Sequence, residues 1–271
     1  MVEKNITVGG QELAYRESAG GGRSVVLVHG NSSSSRTWHA LVDGPFGERF
    51  RCLAVDLPGH GASAPAADAE AYSLPGYAAT LAGFMAATGA ADAVVVGWSL
   101  GGHIALEAAP RLPAAAGFVI FGTPPVSSPA QLADAFLPNP AIGVGFSAEV
   151  DGEAARAYAE SFVAPGSTLP LTEFVADILA TDGAARAGLQ ASLGAGRFLD
   201  EVEIVAGLTR PLAVLQGEGE QLISLDHLRT IPMPTLWRGE VLVLPGAGHA
   251  PQEEAPEEFA AVLAEFVADL P

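Results

Sequence analysis

Ser99 is the residue whose surroundings point most directly to chemistry. It lies in the segment Gly97-Trp98-Ser99-Leu100-Gly101, after the apolar run Ala93 to Gly97 and before a helical pattern. The serine therefore falls on a sharp turn from a strand into a helix, where its hydroxyl is presented as a nucleophile. Glycine suits positions 97 and 101 because a β-carbon there would collide with the residues that flank the serine. The alternative is an ordinary glycine-rich turn with no catalytic role.

A serine hydroxyl is a poor nucleophile at neutral pH, so this interpretation needs a base elsewhere in the chain. His249 is the candidate. It lies in the loop Pro245 to Pro251, after the predicted strand Val241 to Leu244 and beside the final helix. This late strand end is where the base belongs when a serine, an acid and a histidine follow one another in that order.

The acid that orients His249 is the least constrained member of the group. Glu218, Glu220 and Asp226 all follow the predicted strand Leu212 to Gln216. In Gly217-Glu218-Gly219-Glu220 the acid follows the glycine after two residues, which favours Glu220. We expect Glu218 to face water and Asp226 to cap a helix at Leu225 to Arg229.

A second position for the acid would follow the predicted strand Phe118 to Phe121. That position contains Gly122-Thr123-Pro124-Pro125, which includes no carboxylate. The absence of a carboxylate after this strand strengthens the choice of Glu220.

An attacked carbonyl develops negative charge, so the site must also supply hydrogen-bond donors. The backbone N–H of Leu100 is one candidate, because it follows the nucleophile at the start of a helix. The other is the main-chain N–H of Asn31, in the turn His29-Gly30-Asn31-Ser32-Ser33 after the predicted strand Val25 to Val28. The Asn31 side chain is then free to hold the loop or to contact the substrate.

The remaining histidines do not suggest a metal site. His60 and His103 could serve as zinc ligands, but none of the six histidines stands in an H-x-H or H-E-x-x-H pattern. We interpret His29 and His60 as structural residues of their loops. No dinucleotide or phosphate-loop fingerprint is present either, so we expect neither a metal nor an organic cofactor.

The elements that position these residues alternate between short apolar runs and longer alanine-rich segments, which is typical of a parallel sheet covered by helices on both faces. The predicted buried strands are Val25 to Val28, Cys52 to Asp56, Ala93 to Gly97, Phe118 to Phe121, Leu212 to Gln216 and Val241 to Leu244. The predicted helices are Thr37 to Asp43, Gly76 to Thr88, Leu100 to Ala109 and Pro256 to Ala268. Ile6 to Val8 and Glu12 to Arg16 predict an edge hairpin that turns at Gly9-Gly10.

Between Val126 and Leu208 the alternation stops, which predicts a helical cap inserted into the sheet domain. The expected division is a core of residues 1–125 and 209–271 with a cap of residues 126–208. The cap aromatic residues are expected to pack in its own core rather than against a ligand; they are Phe136, Phe146, Tyr158, Phe162, Phe174 and Phe198.

Composition narrows the possible partners. The chain has 271 residues, 49% of them hydrophobic, and a formal net charge of −18. Such a charge repels phosphate backbones and anionic lipid surfaces, so we expect no nucleic-acid or membrane partner. Cys52 is the only cysteine, and we expect a small buried hydrophobe there. Without an apolar run long enough for a signal peptide, Met1 to Gly10 suggests a cytoplasmic protein.

Taken together, these motifs resemble the α/β-hydrolase superfamily over essentially the whole chain. Within it the sequence looks most like the metal-independent N-acylhomoserine lactonases, quorum-quenching enzymes that open the lactone ring of bacterial signals. The similarity rests on five segments: His29 to Ser34, Asp56 to Gly61, Gly97 to His103, Gly122 to Val126 and Ala247 to Pro251. Trp98, the Thr123-Pro124-Pro125 turn and a glutamate at position 220 are the more selective features.

The resemblance implies an uncharged acyl lactone or ester as substrate, attacked by Ser99 with help from His249 and Glu220. It also implies substrate contacts from Asn31, Trp98 and a cap tyrosine, at the position of Tyr158. A tyrosine that merely packs in a cap helix is the alternative for Tyr158. Two other functions stay open, a carboxylesterase acting on short acyl esters and a small-molecule receptor that binds but does not turn over its ligand.

Overall fold

One eight-stranded sheet organises the chain, and the computed structural model describes all 271 residues. The strands lie in the order β1-β2-β4-β3-β5-β6-β7-β8. Their bounds are β1 Val2–Val8, β2 Gln11–Glu17, β3 Ser24–Val28, β4 Arg51–Val55, β5 Val94–Trp98, β6 Gly117–Phe121, β7 Leu212–Gly217 and β8 Leu242–Leu244.

Twelve α-helices surround the sheet. They are α1 His39–Asp43, α2 Pro45–Arg49, α3 Leu74–Ala87, α4 Leu100–Ala108, α5 Leu132–Ala135, α6 Gly152–Glu160, α7 Thr172–Ala180, α8 Gly183–Gly194, α9 Glu201–Gly207, α10 Leu225–Thr230, α11 Pro251–Glu254 and α12 Pro256–Asp269. Short 3-10 helices occupy Ser35–Trp38, Ala69–Tyr72, Ala109–Arg111, Pro129–Gln131, Pro140–Phe146 and Trp237–Gly239.

The predicted edge hairpin is confirmed. Strand β1 pairs with β2 in the antiparallel sense, and the pair Val8↔Gln11 leaves only Gly9 and Gly10 in the turn. Both glycines have positive φ, 57° and 89°, which is the conformation that a two-residue hairpin turn demands. Strand β2 pairs antiparallel with β4, and all later pairs are parallel.

The central strands explain why the sequence shows continuous apolar runs instead of alternation. Every residue of β5 and β6 is buried. Because successive side chains of a strand point to opposite faces, both faces of the sheet must be covered. The predicted mostly parallel sheet with helices is therefore confirmed, and its parallel strands bring their carboxyl ends to one edge.

The segment between β6 and β7 contains α5 to α9 and no strand. Asp151, Asp182 and Asp200 cap α6, α8 and α9 by accepting hydrogen bonds from backbone N–H groups of the first turn. This segment includes the predicted cap, residues 126–208. Its description as a separate cap remains a prediction.

Two local expectations were wrong. The helix predicted at Thr37 to Asp43 is split, with a 3-10 helix at Ser35–Trp38 before α1. Asp226 does not cap α10: Ser224 does, accepting from the N–H of His227, while the Asp226 side chain is 97% exposed. Serine is as good a cap as aspartate, and it stands one position before the first helical residue, where a cap must be.

No helix of the structure is both long enough and apolar enough to cross a lipid bilayer.

Cys52 lies in β4 with no exposed surface and no disulfide partner, so the expected buried hydrophobe is confirmed. Burial raises the pKa of its thiol to about 12, because a thiolate would lose its hydration there.

We therefore expect a disulfide-exchange reagent such as dithionitrobenzoate to modify the thiol of Cys52 in the native protein at least about 100-fold more slowly than in the unfolded chain. Release of thionitrobenzoate at pH 8 measures this rate. Equal rates in buffer and in guanidinium would show that β4 opens freely.

Candidate active site

Ser99 occupies a strained turn at the carboxyl end of β5. Its φ and ψ are 53° and −117°, a conformation that residues with a β-carbon rarely adopt. A β-carbon added to Gly97 would lie 2.3 Å from the carbonyl oxygen of Gly101, and one added to Gly101 would lie 2.2 Å from that of Val28. The predicted collision within the turn is confirmed for Gly97, whereas Gly101 must be glycine because it packs against the backbone of Val28 and His29. The strand, turn and helix have the geometry of the predicted nucleophile elbow.

His249 stands in the loop between β8 and α11, with only 1% of its side chain exposed. Its Nδ1 lies 2.8 Å from Oε2 of Glu220. Since a carboxylate only accepts hydrogen bonds, Nδ1 carries the proton, and Nε2 is the nitrogen left to act as a base. Nε2 is buried and has no hydrogen-bond partner.

Glu220 is the carboxylate that reaches the imidazole, rather than Glu218 or Asp226. Its side chain is 3% exposed, and its second oxygen accepts a hydrogen bond from the N–H of Leu222 at 2.7 Å. Glu218 is exposed, as expected, and accepts from the N–H of Gly246. The loop after β7 thus supplies one buried carboxylate with both oxygens occupied.

Ser99 and His249 line the same cavity, which has a volume of about 260 Å³. Asn31 and Leu100 line it too. Leu100 is the first residue of α4, where backbone N–H groups have no partner within the helix. The Asn31 side chain donates to the carbonyl of Gly145 at 2.5 Å, so it joins the loop after β3 to the 3-10 helix Pro140–Phe146.

Tyr158 also lines the cavity, and its ring packs edge-on against Phe162 at a centroid distance of 4.6 Å. Burial raises the pKa of its hydroxyl, so the group stays protonated and can donate a hydrogen bond. A β-carbon on Gly145 would lie 2.5 Å from this hydroxyl and 2.9 Å from Nδ2 of Asn31. The polar ends of Asn31 and Tyr158 therefore meet at the backbone of Gly145.

Trp98 does not line the cavity, which corrects the expectation that it contacts the substrate. Its indole is 1% exposed and packs against Phe162, Phe174 and the His249 ring. Its Nε1–H donates to the carbonyl of His249 at 2.7 Å. The Trp98 side chain is therefore enclosed between the His249 loop and the segment that carries Phe162 and Phe174.

The expectation that the cap aromatic residues pack among themselves was wrong for most of them. Phe136, Phe146, Tyr158 and Phe198 line the cavity. Only Phe162 and Phe174 are buried away from it, against Trp98. The segment between β6 and β7 lies over the carboxyl end of β5, so an apolar side chain on its inner surface either packs against Trp98 or lines the cavity that contains Ser99.

His29 and His60 lie outside the cavity and are fully or almost fully buried. Nδ1 of His29 donates to the carbonyl of Gly30, and Nε2 accepts from the N–H of Leu57. Desolvation lowers the pKa of His29 to about 4 and that of His60 to about 3. Both rings are therefore neutral at pH 7 and hold the loops after β3 and β4, as expected.

Two cavity residues were missed as functional candidates, His103 and Glu201. His103 lies in the first turn of α4, and its backbone N–H donates to the carbonyl of Ser99, so its proximity to the nucleophile in the sequence was the available signal. Glu201 carries no comparable signal, because its approach depends on how α9 packs against α4. No group of three or more histidine, cysteine, aspartate or glutamate side chains is arranged to hold a metal ion.

Comparisons with known proteins identify the family of this chain. Residues 25–262 match the family model described as the alpha/beta hydrolase family. Solved structures of the N-acyl homoserine lactonase AidH, one a variant in complex with N-hexanoyl homoserine lactone and one in complex with N-butanoyl homoserine, superpose with a TM-score of 0.94. Both are 36% identical to this chain; they cover 99% of it, and the matches extend over 98% and 97% of those chains.

The curated relatives include an esterase and an acetyltransferase component. The pimeloyl-[acyl-carrier protein] methyl ester esterase of Xylella fastidiosa (strain 9a5c) is 31% identical over 95% of this chain and 100% of its own length. The dihydrolipoyllysine-residue acetyltransferase component of the acetoin cleaving system of Cupriavidus necator is 27% identical over 94% of this chain, which spans 66% of that protein. A putative aryl esterase from Burkholderia cenocepacia, 22% identical with a TM-score of 0.82 over 98% of both chains, shares the fold.

The three acidic candidates can be separated by isosteric amides. Glu220→Gln should lower kcat for p-nitrophenyl acetate by about 10²- to 10⁴-fold, because a neutral amide neither fixes the tautomer of His249 nor stabilises its protonated form. Glu218→Gln and Asp226→Asn serve as matched controls and should retain activity within about twofold, since both side chains face solvent. A larger loss in either control than in Glu220→Gln would contradict the choice of acid.

Proposed function

Since this chain belongs to the alpha/beta hydrolase family, we propose that it opens the lactone ring of N-acyl homoserine lactones with Ser99, His249 and Glu220 and without a metal ion. The observation that carries the proposal is the buried pair of His249 and Glu220, which leaves Nε2 of His249 without a partner in a residue that lines the same cavity as Ser99. The similarity to AidH over 99% of this chain supports the choice of substrate.

In the proposed reaction, Ser99 Oγ attacks the lactone carbonyl while Nε2 of His249 takes its proton. The amides of Asn31 and Leu100 bind the oxyanion, and Glu220 stabilises the imidazolium through Nδ1. Breaking the ester bond transfers the proton to the ring oxygen and leaves an acyl-enzyme that carries a free hydroxyl. Water activated by His249 then attacks the acyl carbonyl and releases the N-acyl homoserine.

The leaving alcohol complicates the second half of this reaction. It remains tethered to the acyl group and can close the ring again at a high effective concentration. Tyr158 and Asn31, whose polar ends meet at Gly145, are placed to hold that hydroxyl away from the acyl carbonyl. In this proposal they favour turnover more than binding.

The lining of the cavity suits the acyl chain and the lactone ring of the proposed substrate. Thirteen of its 18 lining residues are hydrophobic, which suits an acyl chain and an uncharged ring. Its volume of about 260 Å³ lies just below the usual range for ligand pockets, about 300–1,000 Å³. We therefore propose short acyl chains, of about four to eight carbons, as the preferred substrates.

Hydrolysis of simple acyl esters is the second candidate, because the same nucleophile, base and oxyanion donors serve any activated acyl group. The similarity to the Xylella fastidiosa methyl ester esterase favours it. The rates of turnover of N-hexanoyl homoserine lactone and of p-nitrophenyl acetate separate the lactonase from the simple esterase. An esterase hydrolyses the aryl ester and leaves the lactone intact. A receptor on this fold would release no more than one product per protein molecule, whereas an enzyme shows steady multiple turnover.

Product analysis tests the proposal. With N-hexanoyl homoserine lactone, we expect a product that gains the mass of one water and loses it again on acidification, as a ring-opened acid does. Ser99→Ala should lower this turnover by roughly 10⁴- to 10⁶-fold. Release of hexanoic acid would mean amide cleavage instead, and a loss of less than tenfold in the variant would contradict the assigned nucleophile.

Removing the Tyr158 hydroxyl tests the handling of the alcohol. Tyr158→Phe should lower kcat for the lactone by about tenfold and leave KM within about threefold, because the hydroxyl acts after the ring has opened. Tyr77→Phe is a matched control, since the Tyr77 hydroxyl is buried outside the cavity and has no hydrogen-bond partner. A rise in KM at constant kcat would show that Tyr158 only binds substrate.

A further inference from the structure

A second imidazole–carboxylate pair faces the cavity that contains Ser99. His103 Nδ1 lies 2.8 and 3.0 Å from the two carboxylate oxygens of Glu201, and both residues line the cavity. The Glu201 side chain has no exposed surface, and that of His103 is 17% exposed. The reaction proposed above gives neither of them a role.

Glu201 holds the His103 ring in one tautomer. One of its oxygens also accepts from the N–H of Val126 at 3.0 Å, so the carboxylate is fixed from two sides. Because it can only accept from His103, the proton lies on Nδ1. Nε2 has no partner in the protein, and in the neutral ring it is a hydrogen-bond acceptor.

Packing alone does not account for this pair. The polar residues among the 18 that line the cavity are Asn31, Ser99, His103, Glu201 and His249. Burying a carboxylate beside an imidazole costs desolvation free energy that an apolar pair of similar volume would not. A polar group of the substrate that meets Nε2 would account for its presence in an otherwise apolar wall.

The position of His103 on α4 indicates where that group must lie. His103 is in the first turn of α4, and its backbone N–H donates to the carbonyl of Ser99, the residue that precedes the helix, at 3.3 Å. Helical side chains lean toward the amino terminus, which brings the imidazole back toward the nucleophile. We therefore expect Nε2 of His103 to contact substrate atoms that are a few bonds from the carbon that Ser99 attacks.

We propose that Nε2 of His103 accepts a hydrogen bond from a substrate amide N–H located two bonds from the attacked carbonyl carbon, and that Glu201 is its positioning residue. On an N-acyl homoserine lactone this group is the acylamide on the ring, and that identification rests on the proposed function. A simple alkyl ester has a methylene at the same place and would leave Nε2 unpaired, which a site built for a hydrogen bond rejects.

A matched pair of aryl esters tests the subsite whether or not the protein is a lactonase. N-hexanoylglycine p-nitrophenyl ester carries the amide at the required place, and p-nitrophenyl nonanoate is its methylene counterpart. The measurement is the ratio of kcat/KM for the two esters. We expect the double variant His103→Leu/Glu201→Gln, which leaves no unpaired buried charge, to lower this ratio by about tenfold.

Two further variants serve as a rescue and as a control for this measurement. His103→Gln, which can still accept a hydrogen bond near the position of Nε2, should restore part of the ratio. His227→Gln should leave the ratio within about twofold, because His227 contacts the carbonyl of Pro125 outside the cavity. If the double variant lowers both esters equally and the ratio stays within twofold, the pair is only structural and the proposal is overturned.

The lactone substrate is tested separately with N-hexanoyl homoserine lactone and a 2-alkyl-γ-butyrolactone of equal length. If the protein opens neither lactone but the ester ratio still falls in the double variant, the proposed function is wrong and the amide subsite stands. If it opens both lactones and neither ratio responds to the variant, the lactonase stands and the subsite does not.

Discussion

The hydrogen bond between His249 and Glu220 is the contact on which the candidate site depends. It joins the loops after β8 and β7, and both partners are almost completely shielded from water. An imidazole can act as a base toward Ser99 only if its other nitrogen is held protonated, and Glu220 provides that restraint. Much of the surrounding structure keeps these two loops in place.

Several close contacts hold the His249 loop. A β-carbon on Gly217 would lie 2.0 Å from the carbonyl of Gly248, so glycine is required for β7 to pass the loop. Glu254, at the end of α11, accepts hydrogen bonds from the N–H groups of both Gly248 and Ala164. Trp98 fixes the carbonyl of His249 from β5. The base is thus positioned by the sheet, by α11 and by the segment that precedes α7.

The segment between β6 and β7 contributes more than a cover. It supplies Phe162 and Phe174, which support Trp98, and it supplies most of the apolar cavity wall. It also carries Glu201, whose carboxylate holds the imidazole of His103 in the wall of the cavity that contains Ser99. In our proposals the two histidines act on different atoms of one substrate, His249 on the nucleophile and the leaving group and His103 on the amide.

Much of this protein was determined by local sequence alone. The apolar runs predicted the parallel strands, and Gly97, Ser99 and Gly101 predicted the elbow, because strand burial and steric crowding act within a few residues. The spacing in Gly217-Glu218-Gly219-Glu220 also predicted which carboxylate meets His249. Only the tertiary structure decided that Trp98 supports the base, that Phe136 and Phe146 face the cavity and that Glu201 meets His103. Those contacts depend on how the segment between β6 and β7 packs over the sheet, and no local pattern records the relative placement of residues so distant in the chain.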